Sequence, residues 1–375
     1  ELEIRFDYED VNSNYRDFEY IEARVNPSYL DVDVNEILTT ITSNGGLGFN
    51  DFLLQTQGKG FRSRNATNVL FEGGFLVASG PARVSDHVRN GSFRDDDFQM
   101  LSPVRRDFQS ARADFESRTI YNDDKASNPI QVTVEEETFA WSDFPHQQYI
   151  IQQYIIKNDQ PQAIESLYAG IFMDWEINPV LNISTQELTT FNAGAYDEVN
   201  KLAFAYDRFA NGKDYYGVAL LSGQDFHTFV AEAEGGISYS SMGKYEALRN
   251  VPSPTTSQIG VTGSGVDLVQ FVSGGPFKLE AGATDTLVFA IFGVRDINQI
   301  ASTRDQALSR YTCAILRKGV SQAFTLSDTT PNTLTVIDFQ DQNPQADSWT
   351  WDFGDGTDTI VVGHGQTITH QFPST

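Results

Sequence analysis

The sequence predicts an all-β fold whose main part is one large antiparallel β-sandwich (supersandwich-like). Three observations support this prediction. Apolar and polar residues alternate with a period of two in many short runs, glycine- and asparagine-rich turn signals separate those runs, and helical segments of about 10–15 residues are missing between them. Helices of that length connect the strands of a parallel sheet, so their absence favours antiparallel pairing.

Four runs carry the strand pattern most clearly: Ile21–Val25, Gln131–Val134, Tyr149–Ile156 and Thr286–Phe292. Successive side chains of a strand point to opposite faces, so alternation indicates a half-buried strand, and a continuous apolar run indicates a strand buried on both faces. Tight-turn sequences lie between such runs, among them Asn44-Gly45-Gly46, Asn90-Gly91, Asn211-Gly212 and Gly274-Gly275-Pro276.

One segment, about 296–318, departs from this pattern and predicts a single C-terminal helix that closes the large β domain. Asp296 or Ser302 is suited to cap its N-terminus, and Arg317 and Lys318 suit the negative end of the helix dipole. Its apolar residues recur near helical spacing, at Ile297, Ile300, Ala301, Ala307, Leu308, Tyr311 and Ile315.

The composition indicates a strongly acidic globular chain. Its 375 residues include 26 Lys and Arg against 51 Asp and Glu, a formal net charge of −25, and 40% of the residues are apolar. The apolar content is sufficient for a core, whereas the negative charge argues against nucleic acid and anionic lipid as partners. No apolar run approaches the about 20 residues of a membrane-spanning helix, so we expect no membrane insertion.

The chain ends and the single cysteine add two expectations. The chain starts at Glu1 without a Met or a signal-peptide pattern and stops at Thr375 without a closing element, which is typical of a piece of a longer polypeptide. Cys313 lies beside apolar residues in the predicted helix, so we expect a small buried side chain rather than a nucleophile.

A polar stretch at 327–333 has the composition of a linker and predicts a domain boundary. Three segments follow it: Thr335–Phe339, Trp351-Asp352-Phe353-Gly354-Asp355-Gly356-Thr357 and Thr367–Phe372. They resemble the PKD (polycystic-kidney-disease-type) domain, which implies a partial immunoglobulin-like β-sandwich. We therefore divide the chain into a large antiparallel β-sandwich accessory domain (1–326), the linker, and the N-terminal part of a PKD-like domain (334–375).

Segments 68–89 and 153–177, together with the stretch from Gly275 through the predicted helix, share a further pattern. They resemble the region that follows the catalytic domain in secreted bacterial subtilisin-like serine peptidases of the type IX secretion route. The resemblance covers residues from about 40 to 320. It implies an accessory sandwich in a protein that is secreted or held at the cell surface, in which PKD-like sandwiches and a sorting domain follow.

Motifs of the common catalytic and metal sites are missing. The segments of a subtilisin-type active site are not found, and Thr262–Val266 fails the G-x-S-x-G spacing. A catalytic acid pair drawn from Asp143, Asp174 and Glu176 is poorly constrained, because acids are abundant and only a shared cleft brings two of them together. The histidines lack the spacing of a zinc site: His87, His146, His227, His364 and His370. We therefore expect no catalytic residue in this chain.

Calcium is the metal that the sequence leaves open. Asp95, Asp96 and Asp97 are adjacent carboxylates that repel one another unless a cation or neighbouring bases relieve them. Ca²⁺ takes such oxygen ligands, which makes these three residues the candidate metal ligands. Arg105 and Arg106 lie close in sequence and are the alternative source of relief.

Glycan binding would depend on exposed aromatic side chains. Trp141, Tyr215 and Tyr216 lie near predicted loops, where their rings could stack on sugars. The competing interpretation is that these residues belong to the core, as most aromatic residues of such a chain do.

Together these observations predict a non-catalytic accessory region of a large secreted or cell-surface bacterial protein, with a serine peptidase as the parent that the resemblance implies. The region would space, stabilise or dock the other domains of the same polypeptide, or a cell-surface protein or glycan. The alternative is a carbohydrate-binding or carbohydrate-active β-sandwich module. A further alternative is a structural surface or filament protein.

Overall fold

The computed structural model describes residues 2–10, 15–23, 27–51, 53–182, 187–189, 191–210, 214–252, 258–262, 265–316, 324–327, 336–341, 348–351, 360–363 and 367–371. The chain divides into two compact units, Glu1–Tyr311 and Thr312–Thr375. This boundary precedes the linker predicted at 327–333, of which only Ser327 lies among the described residues.

In chain order, the described strands are β1 (Leu2–Asp10), β2 (Tyr15–Ala23), β3 (Tyr29–Val32), β4 (Ile37–Thr42), β5 (Gly46–Leu47), β6 (Phe61–Ser63), β7 (Leu70–Gly80), β8 (Arg83–Asp86), β9 (Arg89–Asn90), β10 (Phe93–Arg94), β11 (Gln99–Arg106), β12 (Phe115–Asn122), β13 (Val132–Ala140), β14 (Tyr149–Asn158), β15 (Ile164–Trp175), β16 (Val180–Asn182), β17 (Glu187–Thr189), β18 (Asn192–Asp197), β19 (Leu202–Asp207), β20 (Tyr215–Leu220), β21 (Phe226–Glu232), β22 (Gln258–Ile259), β23 (Leu268–Leu279), β24 (Thr284–Val294), β25 (Phe324–Leu326), β26 (Ile337–Asp341), β27 (Ser348–Trp351), β28 (Ile360–Gly363) and β29 (Thr367–His370). The described helices are α1 (Ser241–Leu248) and α2 (Gln299–Tyr311), with a 3-10 turn at His146–Gln148 and a π turn at Thr312–Leu316. No helix within these described ranges is long and apolar enough to cross a membrane.

Two nine-stranded sheets form most of the first unit, which also contains the two-stranded ladders β1-β2, β9-β10 and β16-β17. Sheet I has the order β11-β12-β13-β14-β24-β20-β19-β18-β22, and sheet II has the order β21-β23-β15-β7-β5-β4-β3, with β6 paired to β4 and β8 paired to β7. The strand pairs in both sheets are antiparallel. The predicted antiparallel all-β architecture is therefore confirmed for the large domain.

The inward faces of the two sheets share one apolar core. Alternation places Tyr154 and Ile156 of β14, and Ile171 and Met173 of β15, in the same buried cluster. The rings of Phe75 from sheet II and Tyr154 from sheet I stack with their centroids 4.1 Å apart, so the sheets meet face to face. Each large apolar side chain buried in this way stabilises the fold by about 1.5–3 kcal/mol.

A small polar network is enclosed in this core. Glu136 of β13 is 2% exposed and accepts hydrogen bonds from the Tyr121 hydroxyl at 3.0 Å and from Nε2 of Gln152 at 3.3 Å. Burial raises the pKa of Glu136 to about 8, since an ionised carboxylate is poorly solvated between the sheets. The carboxyl group is thus protonated at neutral pH.

Each sheet carries a helix on its outer face. α2 packs on β14 and β24 of sheet I and buries Ile300, Ala307 and Tyr311, as the apolar spacing predicts. α1 packs on sheet II against β7, β8, β15, β21 and β23. The prediction of a single helix is wrong, since the structure contains α1 as well as α2. α1 has no clear apolar stripe in the sequence, because it spans only eight residues and one of its buried positions is Lys244.

The predicted helical segment 296–318 differs in detail from the structure. Residues 299–311 are α-helical and 312–316 form the π turn, while 317 and 318 lie outside the described residues. Cys313 is exposed, which corrects the expectation of a buried thiol: the π turn directs Ile315, two residues further on, to the buried side instead.

The second unit contains a three-stranded sheet, β25-β26-β29, and a two-stranded sheet, β27-β28. Ile337 and Phe339 of β26 and Ile368 of β29 are buried, consistent with the strands predicted there. Residues 324–326 pair with β26 and so belong to this unit rather than to the large domain. Of the Trp351–Thr357 signature only Trp351 lies within the described residues, at the end of β27.

Candidate functional site: two carboxylate clusters on sheet II

The structure brings together two of the three predicted calcium ligands and adds a third acid from elsewhere. Carboxylate oxygens of Asp86, Asp95 and Asp97 lie within 4.8 Å of one another. Asp86 ends β8, and the other two follow β10. Asp96 turns away, and its carboxylate accepts a hydrogen bond from Nζ of Lys125 at 2.7 Å.

A lysine supplies the positive charge that this group of acids requires. Nζ of Lys244, on α1, lies 2.6 Å from Oδ1 of Asp86, 2.9 Å from Oδ2 of Asp95 and 3.2 Å from the carbonyl oxygen of Val88. Its side chain is completely buried. We call Asp86, Asp95, Asp97 and Lys244 the Lys244 cluster. The Lys244 ammonium group, rather than either of the predicted arginines, is in direct contact with two of the carboxylates.

The predicted alternative, relief by Arg105 and Arg106, is not what the structure has. Arg105 is exposed on β11, and Arg106 donates to the carbonyl oxygen of Asp114 at 3.0 Å. The two arginines are close to the acids in the sequence, but they lie on β11, which belongs to sheet I. Lys244 lies 149 residues from Asp95 in the sequence, so no local sequence pattern predicts this ion pair.

Burial and mutual repulsion shape the titration of this cluster. Burial raises the pKa of Asp97 to about 7, and the neighbouring Asp86 carboxylate adds to this shift. The Asp97 carboxyl accepts a hydrogen bond from the backbone N–H of Asp86 at 3.1 Å. Burial acts against the charge of Lys244, but the Asp86 and Asp95 carboxylates outweigh it and raise the lysine pKa above its usual value.

A second set of buried acids lies on the same side of sheet II. Glu72 of β7 and Asp174 of β15 are direct cross-strand partners, and each is 3% exposed. Arg89 of β9 binds both, through Nε to Glu72 at 2.8 Å and through Nη2 to Asp174. The guanidinium also lies over the rings of Phe71 and Tyr239, at 4.9 Å and 5.1 Å from their centroids. We call Glu72, Asp174 and Arg89 the Arg89 cluster.

Of the three acids considered for a catalytic pair, Asp143 lies apart from the other two. Asp174 is held by Arg89, and Asp143 pairs with Arg310 of α2, on the sheet I side, at 3.1 Å. Burial, reinforced by the nearby Asp267, raises the pKa of Glu176, which lies just beyond β15. Glu72, which sequence reasoning missed, is the acid that faces Asp174, and only the register of β7 against β15 reveals it.

Of the predicted ligand aromatics, two are buried. Trp141 is 1% exposed, packs against Phe139 and Tyr149, and donates its Nε1–H to the carbonyl oxygen of Arg112 at 2.9 Å. Tyr216 is also 1% exposed and stacks on Trp175 in the core. Both side chains are therefore core residues and do not face solvent, in agreement with the competing interpretation.

Tyr215 is placed differently. It is half-buried on the outer face of sheet I, because its neighbour Tyr216 points into the core. Its cross-strand partner Tyr206 lies 5.3 Å away between ring centroids, and Phe204 lies 6.0 Å away. We call Phe204, Tyr206 and Tyr215 the aromatic patch.

Comparison with known proteins identifies no family. No family model matches the chain, and no curated protein matches it. Solved structures that match the chain include a bacterial glucoamylase complexed with acarbose, at 10% identity and a TM-score of 0.43, covering 74% of this chain and 33% of the other. Heparan sulfate lyase HepC from Pedobacter heparinus matches at 9% identity and a TM-score of 0.33, covering 90% and 39%. The GH92 α-mannosidase BT3965 from Bacteroides thetaiotaomicron, complexed with mannoimidazole, matches at 8% identity and a TM-score of 0.36, covering 74% and 33%.

The chain thus spans between a third and two fifths of the length of these three proteins. At such identities and scores the likeness carries no argument about this chain, whose function has to be argued from its own residues.

Proposed function

We propose that this chain is a non-catalytic accessory module of a larger secreted or cell-surface bacterial protein, which spaces, stabilises or docks other domains. One observation carries the proposal: in each of the two acid clusters beside sheet II, an internal base binds two of the carboxylates. A glycosidase needs two carboxyl groups that reach a substrate and, in the inverting case, a water molecule. Arg89 instead binds both Glu72 and Asp174, and Lys244 binds Asp86 and Asp95.

The identity of the parent is part of the same proposal. The resemblance of segments 68–89 and 153–177 to the region after the catalytic domain of subtilisin-like peptidases supports a secreted serine peptidase as the parent. The Trp351–Thr357 signature supports a PKD-like identity for the second unit.

Incubating the purified chain with a panel of chromogenic glycosides and polysaccharides tests the non-catalytic role. We expect no turnover above that of a buffer blank. Turnover that Asp174→Asn abolishes without lowering the melting temperature would overturn the proposal, because it would assign a catalytic role to an acid that we place in a structural ion pair.

The aromatic patch supports a second candidate, a carbohydrate-binding module. Half-buried rings on a sheet surface offer apolar faces to a sugar ring. Affinity electrophoresis through gels containing polysaccharides measures this binding. If it occurs at the patch, Tyr215→Ala should weaken retardation by roughly tenfold, which corresponds to about 1.4 kcal/mol.

The matched control for this experiment is Phe108→Ala. Phe108 is 83% exposed and follows β11, the edge strand of sheet I that lies farther from β19 and β20. Retardation that both variants weaken equally, or that neither weakens, would count against the patch as the binding surface.

A further inference from the structure

We propose that Lys244 and Asp86 condense into an amide, so that a covalent cross-link joins α1 to the end of β8, with Asp97 relaying the proton. The inference concerns a modification of the protein itself and does not depend on the proposed accessory role.

The first support is contact between an amine and a carboxyl group that water does not reach. Nζ of Lys244 lies 2.6 Å from Oδ1 of Asp86, and the two side chains are 0% and 2% exposed. The remaining neighbours hold both groups in place. The carbonyl oxygen of Val88 accepts from Nζ at 3.2 Å, and Oδ1 of Asp86 accepts from the N–H of Val88 at 2.9 Å.

Such an arrangement favours condensation over hydrolysis. Groups held in reacting geometry behave as if present at effective concentrations of about 10⁵ M or more, far above the concentration of water itself. The buried site also keeps out the water that hydrolysis would need. A salt bridge that is solvated on the surface lacks both conditions.

The reaction balances without an outside reagent. A proton passes from the Lys244 ammonium to the Asp86 carboxylate, which leaves a neutral amine and a carboxylic acid. The Nζ lone pair attacks Cγ of Asp86 and forms the C–N bond. The Asp97 carboxylate takes a proton from the nitrogen and delivers it to the hydroxyl on Cγ, which leaves as water when the C–O bond breaks. One ammonium and one carboxylate thereby become one amide and one water, and Asp97 ends unchanged.

Asp97 is suited to this relay by position. Its carboxyl lies within 4.8 Å of those of Asp86 and Asp95, and it accepts from the backbone N–H of Asp86.

Asp86 rather than Asp95 is the acyl partner. Asp95 lies slightly farther from Nζ, at 2.9 Å, and its side chain is 29% exposed, so water competes at that carboxylate. We assign Asp95 the role of orienting the amine.

Mass spectrometry of the full, denatured chain tests the proposal. We expect the chain to be lighter than its sequence by one water molecule. A tryptic digest should contain a branched peptide that joins Asp86 to Lys244, with no cleavage after Lys244. Lys244→Arg, which keeps the positive charge, should have the full calculated mass, and Asp97→Asn should have it in most molecules.

The chain offers a matched control in Lys157 and Asp159. Their contact is also 2.6 Å, but the side chains are 50% and 32% exposed. Lys157→Arg should therefore keep the mass deficit. The mass of the wild-type chain shows by itself whether the amide forms. The test therefore holds even if one of the variants does not fold. A wild-type chain of full mass that trypsin cleaves after Lys244, a bond to Asp95, or a water loss located elsewhere would overturn it.

Discussion

At the residue scale, burial has a strong effect on the carboxyl group of Glu136. Its folded pKa of about 8 exceeds the ordinary value of 4.5, so the folded state holds a proton that the unfolded state releases. The contribution of this group to stability is fully present below about pH 4.5. It is lost as the pH rises through the folded pKa.

We therefore expect Glu136→Gln to remove part of the pH dependence of unfolding. Between about pH 4.5 and 8, the wild type should lose up to about 1.4 kcal/mol of unfolding free energy per pH unit through this group, and the variant should not. Urea denaturation at several pH values measures the difference. Identical pH slopes for the wild type and Glu136→Gln would contradict the assignment.

Residue-level prediction succeeded where chemistry was local. Adjacent carboxylates at 95–97 do require a positive partner, but Asp86 and Lys244 are joined to them only by tertiary structure. Likewise Tyr215 and Tyr216 are neighbours in sequence with opposite environments, which strand alternation explains once the inward face is known.

At the scale of elements, the β9–β10 hairpin depends on buried charge rather than on its own ladder. It contains only two paired positions, Asn90 with Phe93 and Arg89 with Arg94. Phe93 is 79% exposed, so apolar burial contributes little there. Arg89 connects the hairpin to β7 and β15 through its ion pairs with Glu72 and Asp174.

Replacing Arg89 by Met should cost about 3–5 kcal/mol of unfolding free energy, because Glu72 and Asp174 would stay buried without a counter-charge. Chemical denaturation measures the loss, and adding Glu72→Gln and Asp174→Asn should restore part of it. Arg118→Met, which breaks a pair whose arginine is 54% exposed, should change stability by at most about 1 kcal/mol. Equal effects of the two arginine variants would refute the role given to Arg89.

Elements with a strong period were predictable, and short ones were not. The runs at 149–156 and 286–292 lie within β14 and β24, and the helix at 299–311 lies within its predicted segment. The sequence did not predict α1, because tertiary contacts rather than an apolar stripe stabilise this helix. The buried ion pair of Lys244 is one of these contacts.

At the scale of the molecule, the sequence indicated an antiparallel sandwich but not its strand order. β24 lies between β14 and β20, and β23 between β15 and β21, so late strands complete sheets begun far earlier in the chain. Period-two patterns specify which face is buried but not which strand is the neighbour. The positions of both carboxylate clusters follow from this order and could not be predicted without it.

Nζ of Lys244 occupies the space between Asp86 and Asp95 that a bound metal ion would otherwise take. The melting temperature of the wild-type chain, measured in millimolar Ca²⁺ and again after EDTA, tests it most directly. A ligand that binds only the folded state raises the melting temperature. With Lys244 between Asp86 and Asp95, we expect the two curves to coincide. A rise with Ca²⁺ that EDTA reverses would contradict the claim and return Asp95 and Asp97 to the role of metal ligands.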